Sequence, residues 1–163
     1  MISNLRILII LVLPQLLGAQ NLPSGVPPEL GPLKLVESLQ GKEAQIVVNR
    51  LHEKEVAPKA SLMGQYSSGA SQATLYVSFY ETQAMAASAS KRMTVRIKSG
   101  NQVFRHYEET KSRGLKLGRC IGLGQVHFFF LFRERMYWLA VDPSAATESL
   151  DALSLFVVGK PAK

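Results

Sequence analysis

The sequence predicts an α+β domain, a mainly antiparallel sheet of about five to six strands with two to three helices packed on it. Three observations carry that expectation. Residues 73–80 alternate Leu75, Val77 and Phe79 against Tyr76, Ser78 and Tyr80, the period of a half-buried strand. Residues 82–99 switch to helical spacing, with Ala86, Ala89, Met93 and Ile97 on one stripe. Residues 102–141 then break into four strand-length runs, separated by turn-formers at 111–114, 122–124 and 133–135.

The chain has 163 residues, 47% hydrophobic and 19% charged, a composition that excludes a disordered or fibrous protein and suits one domain. At its start Arg6 precedes the apolar run 7–13, followed by Pro14, Leu16, Leu17, Gly18 and Ala19. That is the basic, apolar and small-residue order of a secretory signal, so residues 1–19 are expected to be removed and the rest to act in the periplasm or outside the cell. The run is too short to span a bilayer of about 30 Å, although Leu17 is bulky for its position before the cleavage site, which keeps an uncleaved N-terminal anchor as the alternative. Cys120 is the only cysteine. An exported chain with one thiol has no internal disulfide, and its stability must come from its core.

Residues 20–40 carry prolines at 23, 27, 28 and 32 and read as an extended arm ahead of a domain at 41–160. Ala44, Val47, Val48 and Leu51 recur at i, i+3, i+4 and i+7, which predicts a short amphipathic helix ending before Pro58. Residues 60–66 and 73–80 form a hairpin across the polar loop 67–71. The 82–99 helix stops at Gly100, and its alanines permit close approach to a sheet. The next strands are expected at 102–108, 115–121, 125–132 and 136–141. In 125–132 Val126, Phe128, Phe130 and Phe132 share one face and His127, Phe129 and Leu131 the other; a strand apolar on both faces is central and covered by helices or a partner chain. Asp142 and Pro143 open a last helix with Ala146, Leu150, Leu153 and Val157 buried, ended by Gly159. The segments 73–97 and 136–157 share a strand-then-helix outline, and a ferredoxin-like arrangement is one way to fold this order.

The most informative functional feature is charge placement. Lys91, Arg92, Arg96, Lys98, Arg105, Lys111, Arg113, Lys116 and Arg119 are nine basic residues against Glu108 and Glu109, while the remainder after the leader is close to neutral. A localised positive field steers an anionic partner: an anionic polymer, an anionic membrane surface or an acidic protein. Lys91, Arg92, Arg96, Arg105, Lys111, Arg113, Lys116 and Arg119 are therefore the candidate ligand-binding residues. The plainer account is a solvated edge on which lysine and arginine discourage strand pairing. Nucleic acid is not expected, because the aromatics cluster at 128–138 instead of interleaving with the basic residues.

A rival is a small exported hydrolase or thiol enzyme with Cys120 as nucleophile and His127 or His106 as base. Strand alternation turns Cys120 away from Arg119, and a lone buried cysteine is a small hydrophobe by default. The histidines and carboxylates lack metal-ligand spacing, and the glycines at 118, 122 and 124 precede a strand, unlike a phosphate-binding loop, so neither metal nor cofactor is expected. Tyr66, Tyr76, Tyr80, Tyr107, Tyr137 and Trp138 could line a cleft or simply build the sheet core. The leading expectation is a non-catalytic exported binding domain; a structural envelope protein acting as a homo-oligomer is the third reading.

Overall fold

A computed structural model describes residues 25–52, 58–100 and 102–159, without the side chains of residues 50–52. The leader at 1–19, the side chain of Leu51 and that of His52 lie outside what is described. The elements run β1 (Glu29–Leu30), β2 (Leu33–Gln40), α1 (Gly41–His52), β3 (Ala60–Ser67), β4 (Gln72–Phe79), α2 (Gln83–Lys98), β5 (Arg105–Ser112), β6 (Leu115–Gly122), β7 (Gln125–Phe132), β8 (Arg135–Val141), a 3-10 turn at Pro143–Ala145 and α3 (Ala146–Val158). All strands join one antiparallel sheet in the order β1-β2-β3-β4-β8-β7-β6-β5, curled into a half-barrel. The α+β class with an antiparallel sheet and three helices is as expected. The strand count is not: there are eight, and the order is not ferredoxin-like.

The two additional strands come from the proline-rich stretch. Its described part, residues 25–40, is built into the sheet: β2 pairs with β3, and Leu30 and Leu33 are fully buried. Two four-stranded meanders result, β1 to β4 and β5 to β8, and they meet on their last strands, with Leu75 opposite Leu139 and Tyr76 opposite Trp138.

Each meander hands over to a helix, and the two helices take opposite faces. On one face Leu75, Val77, Phe128, Phe130, Leu139 and Val141 pack with Leu153 of α3 and with Leu30, Leu33, Leu115 and Leu117 from outlying strands. Because α3 touches β1 at one edge and β5 at the other, the sheet curls around it. Two contacts secure that curl: Ser149 Oγ donates to the Leu30 carbonyl at 3.1 Å, and Arg113 grips Asp151 with two hydrogen bonds of 2.8 and 2.7 Å. The other, convex face carries α1 and α2. Gly100 adopts a positive φ just after α2, as the sequence suggests, and at the other end Thr82 caps the helix through its hydroxyl. Ala86 and Ala89 lie against Tyr80 and Met136, and Ile97 against Cys120 and Phe129. Both apolar faces of β7 are thus covered from within the chain, by α2 and α3.

Asp142 departs from expectation. It makes no side-chain cap for the following turn; its carboxylate instead accepts from the Gln72 backbone N–H at 2.8 Å and from Gln125 Nε2 at 3.0 Å, tying β8 to the start of β4 and to β7. β5 begins at Arg105 and runs to Ser112, three residues later than its apolar start suggests, because Phe104 turns inward onto the rings of His127 and Trp138.

Candidate functional site

Helix α2 crosses the convex face and leaves a recess on each side. The first is a groove of about 610 Å³ between α2 and β5 to β7, lined by Ser90 and Thr94 of α2 and by Tyr107, Glu109, Lys111 and Lys116 among others. Its floor depends on Gly118. A Cβ there would stand 2.4 Å from the Phe129 ring, which lies over the glycine and stacks on Trp138 with centroids 5.2 Å apart. Tyr107 continues the aromatic row at 6.1 Å from Phe129.

The second recess is a cleft of about 310 Å³ between α1 and α2. Its floor is Thr74, Tyr76 and Ser78 of β4 with Met136, Trp138 and Ala140 of β8, and its rim includes Arg96 and Leu123.

The sheet and α2 divide the candidate basic residues. Lys111 and Lys116 are direct cross-strand partners on the convex face, inside the groove. Lys91 shares a helical stripe with the groove residue Thr94 and with Lys98, which salt-bridges Glu109 at 2.7 Å and sits over the Tyr107 ring. The Lys98 ammonium, by hydrogen bonding first and charge second, holds the Glu109 carboxyl below its usual range. Arg92 and Arg96 lie on the cleft side of α2, Arg92 donating to Ser88 Oγ at 2.7 Å. Arg105, Arg113 and Arg119 belong to the other face. Arg119 pairs with Glu108 and Arg113 with Asp151, each at 2.7 Å, while Arg105 stands opposite Ile121 on the parity of Arg119. Five of the eight candidates, Lys91, Arg92, Arg96, Lys111 and Lys116, therefore share one side of the molecule and three do not.

The thiol and imidazole are neighbours but not partners in chemistry. Cys120 and His127 face one another across β6 and β7, and Cys120 is 0% exposed. Burial pushes its thiol up to about 11, against the weaker opposing pull of Arg119. His127, 3% exposed, takes the indole N–H of Trp138 on Nδ1 at 3.1 Å. The indole can only donate, so Nδ1 is the acceptor and Nε2 carries the hydrogen, which goes to the Gly122 carbonyl at 2.8 Å. Both ring nitrogens are occupied, and burial lowers the pKa of the ring despite the Gly122 bond. The arrangement holds a neutral, oriented imidazole and gives the thiol no base. His106 is exposed at the bulge of β5.

The aromatic residues are split likewise. Tyr66 and Tyr137 are in the α3-side core, Tyr66 donating to the Pro27 carbonyl at 2.9 Å, with burial raising its pKa. Tyr76 and Trp138 floor the cleft and Tyr107 walls the groove. Sequence reading offered Tyr76 and Trp138 as cleft residues but not the rest of the lining, which comes from α1, α2, β4, β7 and β8; the further available signal was the polar parity of 74, 76 and 78. Among the described residues no group of three His, Cys, Asp or Glu side chains is placed to hold a metal, and no helix is long and apolar enough to cross a membrane. No protein-family model matches the chain, and no curated protein matches it either.

Proposed function

We propose that this chain is an exported, non-catalytic binding domain that takes an acidic polymer in the groove between α2 and β5 to β7. The observation that carries the proposal is the Lys111 and Lys116 pair. Like charges directly opposite on neighbouring strands destabilise a sheet, and among the described residues neither lysine has an ion-pair partner. An anion lying along the groove would turn that repulsion into attraction. Glu109 is the one carboxylate in the groove lining, and Lys98 of α2 already pairs with it. A groove walled by a helix suits a linear chain better than a flat bilayer. Export is supported by the residue order at 1–19. Absence of catalysis is supported by the engaged nitrogens of His127 and the buried Cys120.

Retention on heparin, used as a linear polyanion, tests this. Replacing Lys111 and Lys116 with serine should lower affinity and flatten its salt dependence, since exposed charge attraction is screened over about 10 Å at 0.1 M salt. Replacing Arg113 and Arg119 instead, both on the α3 face, should leave binding nearly unchanged. Retention insensitive to the lysine pair, or equal loss from both double variants, rejects the groove. Binding to anionic vesicles but not to heparin rejects a polymer.

A further inference from the structure

The cleft on the far side of α2 has a different chemistry from the groove, and we infer that it is a separate site for a small amphipathic monoanion, an apolar body of about ten carbons with one acidic head. The inference does not rest on the polymer groove. Three features define the ligand.

The size comes first. About 310 Å³ lies at the lower end of small-molecule sites, which run from roughly 300 to 1,000 Å³. The lining comes second. Val48, Met93, Ile97, Phe104, Met136 and Trp138 supply apolar and ring surface from both helices and the sheet. The hydroxyl-bearing Thr74, Tyr76 and Ser78 sit together along β4, and Thr74 hydrogen-bonds Tyr76. Charge comes third. The lining contains no Asp or Glu, and its sole formal charge is the Arg96 guanidinium at the exposed rim. Among the described residues no carboxylate pairs with Arg96. The one other titratable base, His127, is held neutral by its two hydrogen bonds. One cation beside an otherwise uncharged, ring-lined hollow selects one negative charge on an apolar molecule; a dianion would leave a charge uncompensated and a neutral molecule would leave Arg96 unused. Leu123, 76% exposed at the tip of the β6 and β7 turn, stands at the same rim and extends the apolar path outward.

Trp138 is the only tryptophan, so intrinsic fluorescence reports directly from the cleft floor. The full chain is titrated with decanoate and, separately, with decanol. Decanoate should change the emission saturably at one equivalent, and decanol should bind about tenfold more weakly, the margin of one charge-assisted contact. Arg96→Gln, a change at an exposed helical position, should bring decanoate down to the level of decanol. Ala140→Leu, which raises the floor, should weaken both ligands, and if that variant does not fold, Val48→Phe narrows the cleft from α1 instead. The Lys111→Ser, Lys116→Ser double variant should bind decanoate as the parent does, which separates this site from the groove. Equal affinity for decanol and decanoate, an Arg96→Gln chain unchanged in affinity, or loss of binding in the lysine variant each overturns the assignment.

Discussion

The hydrogen bonds of His127 make a quantitative statement about stability and pH. In the folded chain burial keeps the imidazole neutral, with a pKa below the ordinary 6.5. Above about pH 6.5 the unfolded chain also holds a neutral imidazole, so the full contribution of the buried ring is present. Below that value the unfolded state takes up a proton that the folded state refuses, and stability falls until the pH passes the folded pKa. A single proton limits the slope to about 1.4 kcal/mol per pH unit. Protonating the ring in place would also put a donor on Nδ1 against the Trp138 indole N–H, and Arg96 in the same cleft adds repulsion. His127→Leu isolates the effect. Leucine neither donates to the Gly122 carbonyl nor accepts from the Trp138 indole, a loss of about 1–3 kcal/mol for each buried partner left unpaired, at neutral pH and above. Urea unfolding followed by far-UV circular dichroism, from about pH 8 to about pH 5, should show a gap between parent and variant that shrinks as the solution is acidified. A gap that stays constant, or widens, across that range would refute the neutral, doubly bonded ring.

Two further predictions rest on packing. Gly118→Ala places a methyl 2.4 Å from a Phe129 ring that is buried and stacked on Trp138, so the ring cannot step aside cheaply. A loss of about 1–3 kcal/mol, lowering the melting temperature by several degrees, is expected, with partial recovery on adding Phe129→Leu; an unchanged melting temperature for the single variant contradicts the contact. Cys120, fully buried and with its thiol pushed up to about 11, should react with a maleimide more than about a hundredfold slower in native than in unfolded protein, and a native rate within a few-fold of the unfolded one would show an accessible thiolate.

What could be read in the chain follows from where the determining interactions are local. α2 was legible because its alanine stripe and stopping glycine lie within twenty residues, and β7 because both its faces are apolar wherever it is placed. β2 was illegible for a local reason too. A register shift between Leu35 and Glu37 breaks the alternation that Leu33 and Leu35 begin, so Leu39 falls on the opposite face from them, beside prolines that already suggested a loop. The site was only half legible. The count of basic residues is a property of the sequence, but their division is not. β5 and β6 alternate, so Lys111 and Lys116 go to one face while Arg119 finds Glu108 on the other, and Arg113, in the turn between the two strands with a positive φ, reaches Asp151 of α3. No local pattern announces that Asp151, thirty-eight residues on, neutralises Arg113.

The two recesses follow from one mismatch of dimensions. Eight strands at about 4.8 Å spacing make a sheet roughly 34 Å wide, whereas a helix with its side chains covers about 10–12 Å. On the α3 side the sheet solves this by curling, so that a single helix reaches β1 through Ser149 and the β5 and β6 turn through Asp151. Curling toward α3 necessarily spreads the opposite face. There α1 packs mainly over β2 and β3, and α2 over β7 and β8, with Ala86 and Ala89 drawing the start of α2 close to the sheet. Two helices cannot close a convex surface of that breadth, and the gaps fall on either side of α2. The gap toward the polar edge strand β5 inherits lysines, and the gap toward the central strands β4 and β8 inherits rings and aliphatic side chains. The contrast between a basic groove and an apolar cleft is thus a consequence of sheet order: edge strands are kept charged against pairing, central strands are kept apolar for the core, and α2 lies along the boundary.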